Sequence, residues 1–246
     1  MNSALLMFAE IPHSMKTYHE RRLPHIQPIG ATFFVTWNLE GAIPHAVLDQ
    51  MKQVRDDAIR NIENNQKLSE EEKKVLRFQS KWAFFKSYDQ YLDNPVHESP
   101  QWLKNPAVAK LVADRIHEFN GRYYDLLAFC IMPNHVHALF DFSIQLPQDG
   151  SAVNEQHYKQ LWQVIKLIRG ATSTLANRLL DRVGERLWQE EYFDRYIRND
   201  THLCNATHYT IMNPVKAGLC AKWEDYPFTW LKEGGIYSAT DRGEAE

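Results

Sequence analysis

The sequence predicts an α+β fold of the ferredoxin-like type, in which the order βαββαβ builds an antiparallel sheet. Three observations carry this prediction. A β-branched and aromatic segment lies at 31–39, and two apolar runs within 124–142 are separated only by the residues 132–134. A strongly periodic helical pattern then covers 161–180. These segments follow one another in the order that the fold requires.

The first strand is predicted at 31–39, ATFFVTWNL, because β-branched and aromatic residues fill it and a glycine bounds each end. The segment 41–104 has a different character: it is rich in charge and carries a capping-box pattern from Ser69 to Glu72. We expect this segment to be a helical insertion into a single domain that spans residues 1–246.

A helix is predicted after the insertion, because Asn105 is a favourable N-cap and Pro106 suits the first helical position. This helix should run to about Asn120. Two strands follow within 124–142, YDLLAFCIMPNHVHALFDF, joined by a tight connection at Met132-Pro133-Asn134.

The segment 161–180 has the most regular helical pattern, because apolar residues recur at steps of three and four. We expect the resulting stripe to be buried; its members are Leu161, Ile165, Ile168, Thr172, Leu175 and Leu179. The opposite side carries Lys166, Arg169, Ser173 and Asn177.

The C-terminal part should contain one more strand and one more helix. The roughly alternating aromatic segment 187–199, LWQEEYFDRYIRN, is predicted as a strand. Asn199 or Asp200 can then cap a short helix that ends at Asn213, because Pro214 disfavours continuation.

Composition is that of a globular protein: 44% of the 246 residues are hydrophobic and 12% are aromatic. The three cysteines have no CxxC or framework spacing, so a disulfide scaffold and a cysteine-rich zinc site are not expected. The N-terminal residues lack the pattern of a secretory signal, and no apolar run approaches the ~20 residues of a membrane helix. We expect a reduced, cytoplasmic protein with no membrane partner.

The net charge of −3 is unevenly distributed. The segment 223–246 holds six acidic and two basic residues, and its last part, about 233–246, is expected to be an acidic tail. The segment 151–222 has ten basic residues against seven acidic ones. The total charge therefore neither supports nor excludes a nucleic-acid partner.

His135 and His137 are the first candidates for chemistry. Residues i and i+2 of a strand share one face, so both imidazoles should point the same way while Val136 points into the core. Two imidazoles on one face can bind a divalent transition metal. Two ordinary surface histidines would give the same pattern.

Tyr209 and Asn213 are the second candidates. They are four residues apart on the last predicted helix and therefore share a face. A tyrosine hydroxyl can act as a covalent nucleophile, and an asparagine oxygen can complete a metal shell. Taken alone, a packed tyrosine and an asparagine at a helix end explain these residues equally well.

Basic and aromatic residues in the second half of the chain could contact DNA phosphates and unpaired bases. A solvated helix face and ordinary core packing are the alternatives. The basic candidates are Lys166, Arg169, Arg195, Arg198 and Lys216, and the aromatic ones are Tyr192, Phe193 and Tyr196.

Four ordered segments together resemble the HUH single-tyrosine transposases, in the REP-associated tyrosine transposase branch. They are ATFFVTWNL, AFCIMPNHVHALF, LWQEEYFDRYIRND, and HYTIMNPVKAGLC followed by DYPFTW. The combination of MPNHVH with YxxxNPVKAG some seventy residues later is specific to this resemblance, which covers about 21–39 and 105–232.

The resemblance implies roles for the candidate residues. His135, His137 and Asn213 would bind a divalent ion, Mg²⁺ or Mn²⁺, and Tyr209 would be the nucleophile on a C-terminal catalytic helix. The enzyme would cleave single-stranded DNA beside hairpins of REP-like sequence, leaving a 5′-phosphotyrosine link and a free 3′-hydroxyl, and would transfer the strand in DNA transposition. The physical requirements of phosphoryl transfer agree with such a set of groups.

Alternatives to this function stay open at this point. The chain could be a domesticated DNA-hairpin-binding protein without catalysis, or an unrelated metal hydrolase that uses the two histidines; the second would need further ligands, and only Asp141 follows the motif closely. Monomer and homodimer are both compatible with the sequence. Arg21 and Arg22 are expected to take part in reading bases.

Overall fold

A computed structural model describes residues 18–20, 24–94, 99–154 and 156–234. Its centre is a five-stranded antiparallel sheet with the spatial order β6-β3-β5-β4-β7. The strands of this sheet are β3 (Thr32–Asn38), β4 (Asp125–Ile131), β5 (His135–Asp141), β6 (Phe193–Tyr196) and β7 (Thr229–Leu231). Strands β1 (Tyr18–Glu20) and β2 (Pro24–Ile26) pair separately.

Five α-helices of the described residues surround the sheet. They are α1 (His45–Asn64), α2 (Glu70–Asp93), α3 (Pro106–Glu118), α4 (Leu161–Leu179) and α5 (Asp200–Lys216). Helices α3 and α4 connect the strands in the order β3-α3-β4-β5-α4-β6, with β5 between β3 and β4 in the sheet. This is the βαββαβ topology, so the predicted ferredoxin-like fold is confirmed. Within the described residues, none of these helices combines the length and the apolar character that crossing a bilayer demands.

The two faces of the sheet are covered by different helices. Because successive side chains of a strand point to opposite faces, Val136 of β5 packs in the main core with α3 and α4, while Leu139 packs in a second cluster with Ile211 of α5. Helix α2 contributes to both, through Tyr88 to the main core and through Phe85 to the second cluster.

The segment 41–104 forms helices α1 and α2, which pack on each other as a hairpin. The predicted capping box is present: the hydroxyl of Ser69 accepts from the backbone of Glu72, whose carboxylate accepts from the backbone of Ser69. The side chains that α2 buries are large, so this segment is part of the core rather than an appendage. They are Phe84, Phe85, Tyr88 and Leu92.

The helix after this segment begins as predicted, with Asn105 accepting from the backbone of Ala107 and Pro106 in the first turn. The acidic tail lies outside the described residues, apart from Glu233 and Gly234.

The predicted stripe of α4 is correct in its first three turns and wrong at its end. Leu175 and Leu179 are 41% and 52% exposed, whereas Ala176 and Asn177 are buried. Asn177 lies on the buried face because its side-chain amide donates to the backbone carbonyl of Glu185 in the next loop. This hydrogen bond holds the polar side chain inward.

Two predicted boundaries in the C-terminal part are also wrong. The strand predicted over 187–199 is confined to β6, with an isolated bridge between Leu39 and Trp188 before it. Helix α5 does not end at Asn213 but continues to Lys216 with Pro214 inside its last turn. The backbone of Ala217 still donates to the carbonyl of Asn213, so the missing amide of the proline interrupts one bond without ending the helix.

The buried face of α4 gives a testable difference between two leucine-sized positions. We expect Ile168→Ala to lower the free energy of unfolding by about 2–5 kcal/mol, because Ile168 is fully buried and leaves a cavity. Leu179→Ala should cost less than about 1 kcal/mol, since half of that side chain is in water. Urea titration of both variants measures this; equal losses would contradict the observed face.

Candidate metal and nucleophile site

His135 and His137 lie on the face of β5 that α5 covers, and neither has any exposed surface. Val136 between them packs in the main core, as the alternation predicts. The alternative of two surface histidines is therefore wrong. Strand β5 is central in the sheet, so its neighbours on both sides fix where the two imidazoles point.

A hydrogen bond on the far side of the His135 ring sets the form of that imidazole, and a hydroxyl contacts the corresponding nitrogen of His137. The amide nitrogen of Asn134 donates to the carbonyl of Leu92 at 2.9 Å, so its oxygen faces Nδ1 of His135 at 2.7 Å. An amide oxygen only accepts, hence this Nδ1 carries the hydrogen and Nε2 has a free lone pair. On His137, Nδ1 lies 2.7 Å from the hydroxyl of Thr36.

The two Nε2 atoms face each other at 2.9 Å. Burial lowers the pKa of His135 to about 3, and burial followed by repulsion from His135 and Lys216 lowers the pKa of His137 well below its ordinary value. Both rings are therefore neutral at neutral pH. Two neutral imidazole nitrogens at this separation, with a free lone pair on that of His135, form a favourable environment for a cation.

Helix α2 adds carboxylates to the histidines. Oδ1 of Asp89 lies 3.3 Å from Nε2 of His137, and Oδ1 of Asp93 lies 3.9 Å from Nε2 of His135. Among the described residues, Asp89, His135 and His137 form a group whose ligand atoms all lie within 4.8 Å of one another. Two imidazoles and a carboxylate suit a divalent ion.

Burial raises the pKa of both carboxyl groups. The pKa of Asp89 rises to about 8 through burial and then through the neighbouring Asp93, against the opposing effect of Lys216. The pKa of Asp93 rises to about 6 for the same reason of burial. A divalent cation would hold both groups in the charged form, since it replaces the water that burial removes.

Tyr209 lies directly beside this group. Its hydroxyl donates to Oδ2 of Asp89, the oxygen that points away from the histidines. Its ring packs edge-on against Phe34 and His137, and the ammonium of Lys216 lies 4.4 Å from the ring centroid. Residues 209 and 216 are about two turns apart on α5 and therefore share a face.

Asn213 also faces the histidines from α5. Its amide nitrogen lies 3.1 Å from Nε2 of His137, while its buried Oδ1 has no hydrogen-bond partner among the described residues. Within the same part of the chain, the buried Oδ1 of Asp89 likewise accepts no hydrogen bond. Unsatisfied oxygens beside two imidazole nitrogens fit a bound cation.

The site is closed to solvent. His135, His137 and Asn213 are fully buried and Asp89 is 4% exposed, because α2 lies over them with Phe85 against the ring of Tyr209. Sequence reasoning missed Asp89. The only signal for it was its spacing of four from Asp93 in a helix otherwise typical of an exposed charged surface.

The basic candidates fall into two places. Lys166 and Arg169 of α4 line a cleft of about 500 Å³ on the opposite side of the sheet, where the guanidinium of Arg169 donates to the backbone carbonyls of Gln189 and Glu190. The remaining ones, Arg195, Arg198 and Lys216, lie on the side of α2 and α5. Arg21 and Arg22 lie outside the described residues.

The aromatic candidates are largely packed. Tyr192 is buried and its hydroxyl accepts from Gln27. Phe193 is half-buried and stacks on Phe85 at 4.3 Å, and Tyr196 is half-buried beneath the guanidinium of Arg198.

Comparison with known proteins gives a sequence relative and several structural neighbours. A Haemophilus influenzae protein provisionally named REP-associated tyrosine transposase is 29% identical in an alignment 128 residues long. The alignment covers 48% of this chain and 69% of that protein. The chain is similar in sequence to this transposase relative. This confirms the resemblance that the motifs indicate, and a transposase relationship supports an enzyme role.

One structural neighbour is described as a REP-associated tyrosine transposase bound to a REP hairpin. It covers 86% of this chain and 81% of its own, at 16% identity and a TM-score of 0.36. We draw no conclusion from a superposition at that score. The fold of this chain is identified from its own strand order, β6-β3-β5-β4-β7. No protein-family model matches the chain.

The hydroxyl of Thr36 provides a test of metal binding that leaves the ligands intact. We expect Thr36→Val to weaken Mn²⁺ binding about 10- to 100-fold, because Nδ1 of His137 loses the partner that orients the ring while the side-chain shape is kept. Titration calorimetry with Mn²⁺ measures this. Thr174→Val on the exposed side of α4 is the matched control and should bind as the unchanged protein does.

The pKa of Asp89 predicts how stability depends on pH without metal. Between the ordinary carboxyl pKa and about 8, the folded protein keeps a proton that the unfolded chain releases, so the free energy of unfolding falls as pH rises. Below about pH 6.5 the neutral buried histidines oppose this trend, so pH 6.5–8 is the informative window.

In EDTA we expect a loss of up to about 2 kcal/mol across that window, and Asp89→Asn should remove most of it. Urea titrations at several pH values measure the slope, with the exposed Asp114→Asn as control. An unchanged slope in Asp89→Asn would contradict the assignment.

Proposed function

We propose that this chain is a metal-dependent single-stranded DNA endonuclease and strand transferase with Tyr209 as its nucleophile. One observation carries the proposal: the two oxygens of Asp89 join the two halves of the site. Oδ1 faces Nε2 of His137, and Oδ2 accepts the hydrogen of the Tyr209 hydroxyl. A nucleophile, a proton acceptor and a cation site are thus in contact.

The chemistry assigned to these residues is a transesterification. The Oη of Tyr209 attacks the scissile phosphorus, the bond from phosphorus to the 3′-oxygen breaks, and a 5′-phosphotyrosine link forms. The tyrosine proton passes to Oδ2 of Asp89 and is finally taken up by the 3′-oxygen that leaves. The reverse reaction with another 3′-hydroxyl rejoins a strand without a nucleotide cofactor.

His135, His137, Asp89 and Asn213 would hold the divalent ion, whose contribution when bound is to neutralise charge on the scissile phosphate. The two imidazoles favour Mn²⁺ over Mg²⁺, since nitrogen ligands suit the softer ion. Lys216 adds a positive charge beside the nucleophile. The combined donor set therefore agrees with phosphoryl transfer.

The DNA partner is proposed from the sequence relative. The sequence relative is named a REP-associated tyrosine transposase, and we propose that this chain takes a strand with a REP-like hairpin, with cleavage in the unpaired segment beside it. Because the ligand side chains are buried, the scissile phosphate reaches them only when the Phe85 side chain moves off the ring of Tyr209, while Asp89 keeps its contacts with His137 and Tyr209.

A covalent adduct tests the proposal directly. A hairpin-bearing single strand from the flanks of the gene is incubated with Mn²⁺ or with EDTA and analysed on a denaturing gel. We expect a Mn²⁺-dependent adduct that disappears in Tyr209→Phe and persists in Tyr196→Phe, the control tyrosine in β6. Asp89→Asn should slow adduct formation about 10²- to 10⁴-fold, as expected when the proton acceptor is removed.

Tight binding of the hairpin without any adduct in Mn²⁺ would overturn the catalytic proposal. It would favour the domesticated hairpin-binding protein instead. An adduct that persists in Tyr209→Phe would assign the nucleophile elsewhere.

A further inference from the structure

Cations and aromatic rings converge on one side of α2, next to β6. The guanidinium of Arg195 lies 4.5 Å from the ring centroid of Phe78 and 4.9 Å from that of Trp82, and the guanidinium of Arg198 lies 5.0 Å from Phe78. The ammonium of Lys86 lies 5.8 Å from the ring of Trp82. We call Phe78, Lys81, Trp82, Lys86, Arg195 and Arg198 the α2 cationic surface.

The described residues do not neutralise the charges of this surface. In the part of the chain that the structure describes, no acidic side chain forms an ion pair with Lys81, Arg195 or Arg198. Burial, followed by repulsion from Arg55, Arg77 and Arg198, lowers the pKa of Lys81. Like charges held together in this way attract an anion strongly.

The aromatic rings hold these cations in place. Each guanidinium lies over a ring face, which restricts its rotamers and keeps it directed to the rim of α2 and β6. Arg198 and Lys86 remain exposed, so an extended polyanion can reach them.

The surface continues into the nucleophile site. The ring of Trp82 stacks on Phe85 at 5.3 Å, and Phe85 lies 6.0 Å from the ring of Tyr209. A strand whose phosphate reaches Tyr209 would therefore have its neighbouring phosphates above α2. Duplex DNA of the hairpin stem is too wide to follow a path that leads to a half-buried tyrosine.

We propose that the α2 cationic surface binds the unpaired DNA strand next to the scissile phosphate, through phosphate contacts of Lys81, Lys86 and Arg198. The inference rests on the proposed function and deepens it, because it gives the segment 41–104 a role in holding substrate. Binding there would also act on α2 itself, the helix that covers the ligand residues.

The test compares binding to a hairpin with and without a single-stranded flank, in the Tyr209→Phe background so that cleavage does not interfere. The combined variant Lys81→Gln, Lys86→Gln and Arg198→Gln should bind the flanked hairpin about 10- to 100-fold more weakly at ~0.1 M salt. The slope of its salt dependence should fall by about 0.7 for each phosphate that the variant no longer binds. Fluorescence anisotropy measures both quantities.

The control removes three exposed charges on or beside α3 and α4, through Lys110→Gln, Arg122→Gln and Arg178→Gln. It should bind both DNAs as the Tyr209→Phe protein does. An equal loss of affinity in control and test variants, or an unchanged affinity for the flanked hairpin in the test variant, would overturn the assignment of the surface.

Adduct formation separates this proposal from the one on which it rests. If the protein with Tyr209 forms the adduct while the test variant keeps full affinity for DNA, the catalytic proposal is supported and the proposed role of the α2 cationic surface is wrong. If no adduct forms but the test variant binds the flanked hairpin more weakly, the α2 cationic surface is supported as a strand-binding site and the catalytic proposal is wrong.

Discussion

The attachment of α2 to the central strands is the constraint on which the site depends. Tyr88 donates its hydroxyl hydrogen to Oδ1 of Asn38 at the end of β3, and Asn134 before β5 donates to the carbonyl of Leu92. These two bonds are buried, and a buried polar group left without its partner is costly, so they fix both the rotation and the height of α2. Asp89, one residue from Tyr88, is placed over His137 as a result.

The same bonds connect the ligands to the rest of the fold. The amide nitrogen of Asn134 donates to the carbonyl of Leu92 in α2, and its oxygen accepts from Nδ1 of His135. One side chain therefore couples the position of the helix to the orientation of the imidazole. A shift of α2 would therefore move the carboxylate of Asp89 and, through Asn134, change the orientation of the His135 ring. The segment 41–104, predicted as a helical insertion, supplies the carboxylate of Asp89 to the candidate site and covers that site.

Whether the sequence could predict a feature of the fold or the candidate site depends on how far apart along the chain the interacting residues lie. The common face of His135 and His137 follows from strand alternation, and the common face of Tyr209 and Asn213 follows from helical spacing; both patterns are local. Asp89 could not be found in that way, because its partners lie far along the chain and a carboxylate in a charged helix is normally solvated. The prediction of the buried face at the end of α4 was wrong for a related reason. Asn177 points inward because its amide donates to the backbone carbonyl of Glu185, and a sequence periodicity does not encode such a contact.

The cover over the ligands has a consequence for selectivity. If the free energy needed to move Phe85 off Tyr209 is drawn from contacts with the correct strand, the proposed enzyme can hold a poorly matched DNA without cutting it. Binding and cutting would then discriminate differently, and the second would be the stricter of the two. For the proposed DNA-cleaving enzyme, such a threshold would leave the backbone of unpaired DNA intact in chance encounters.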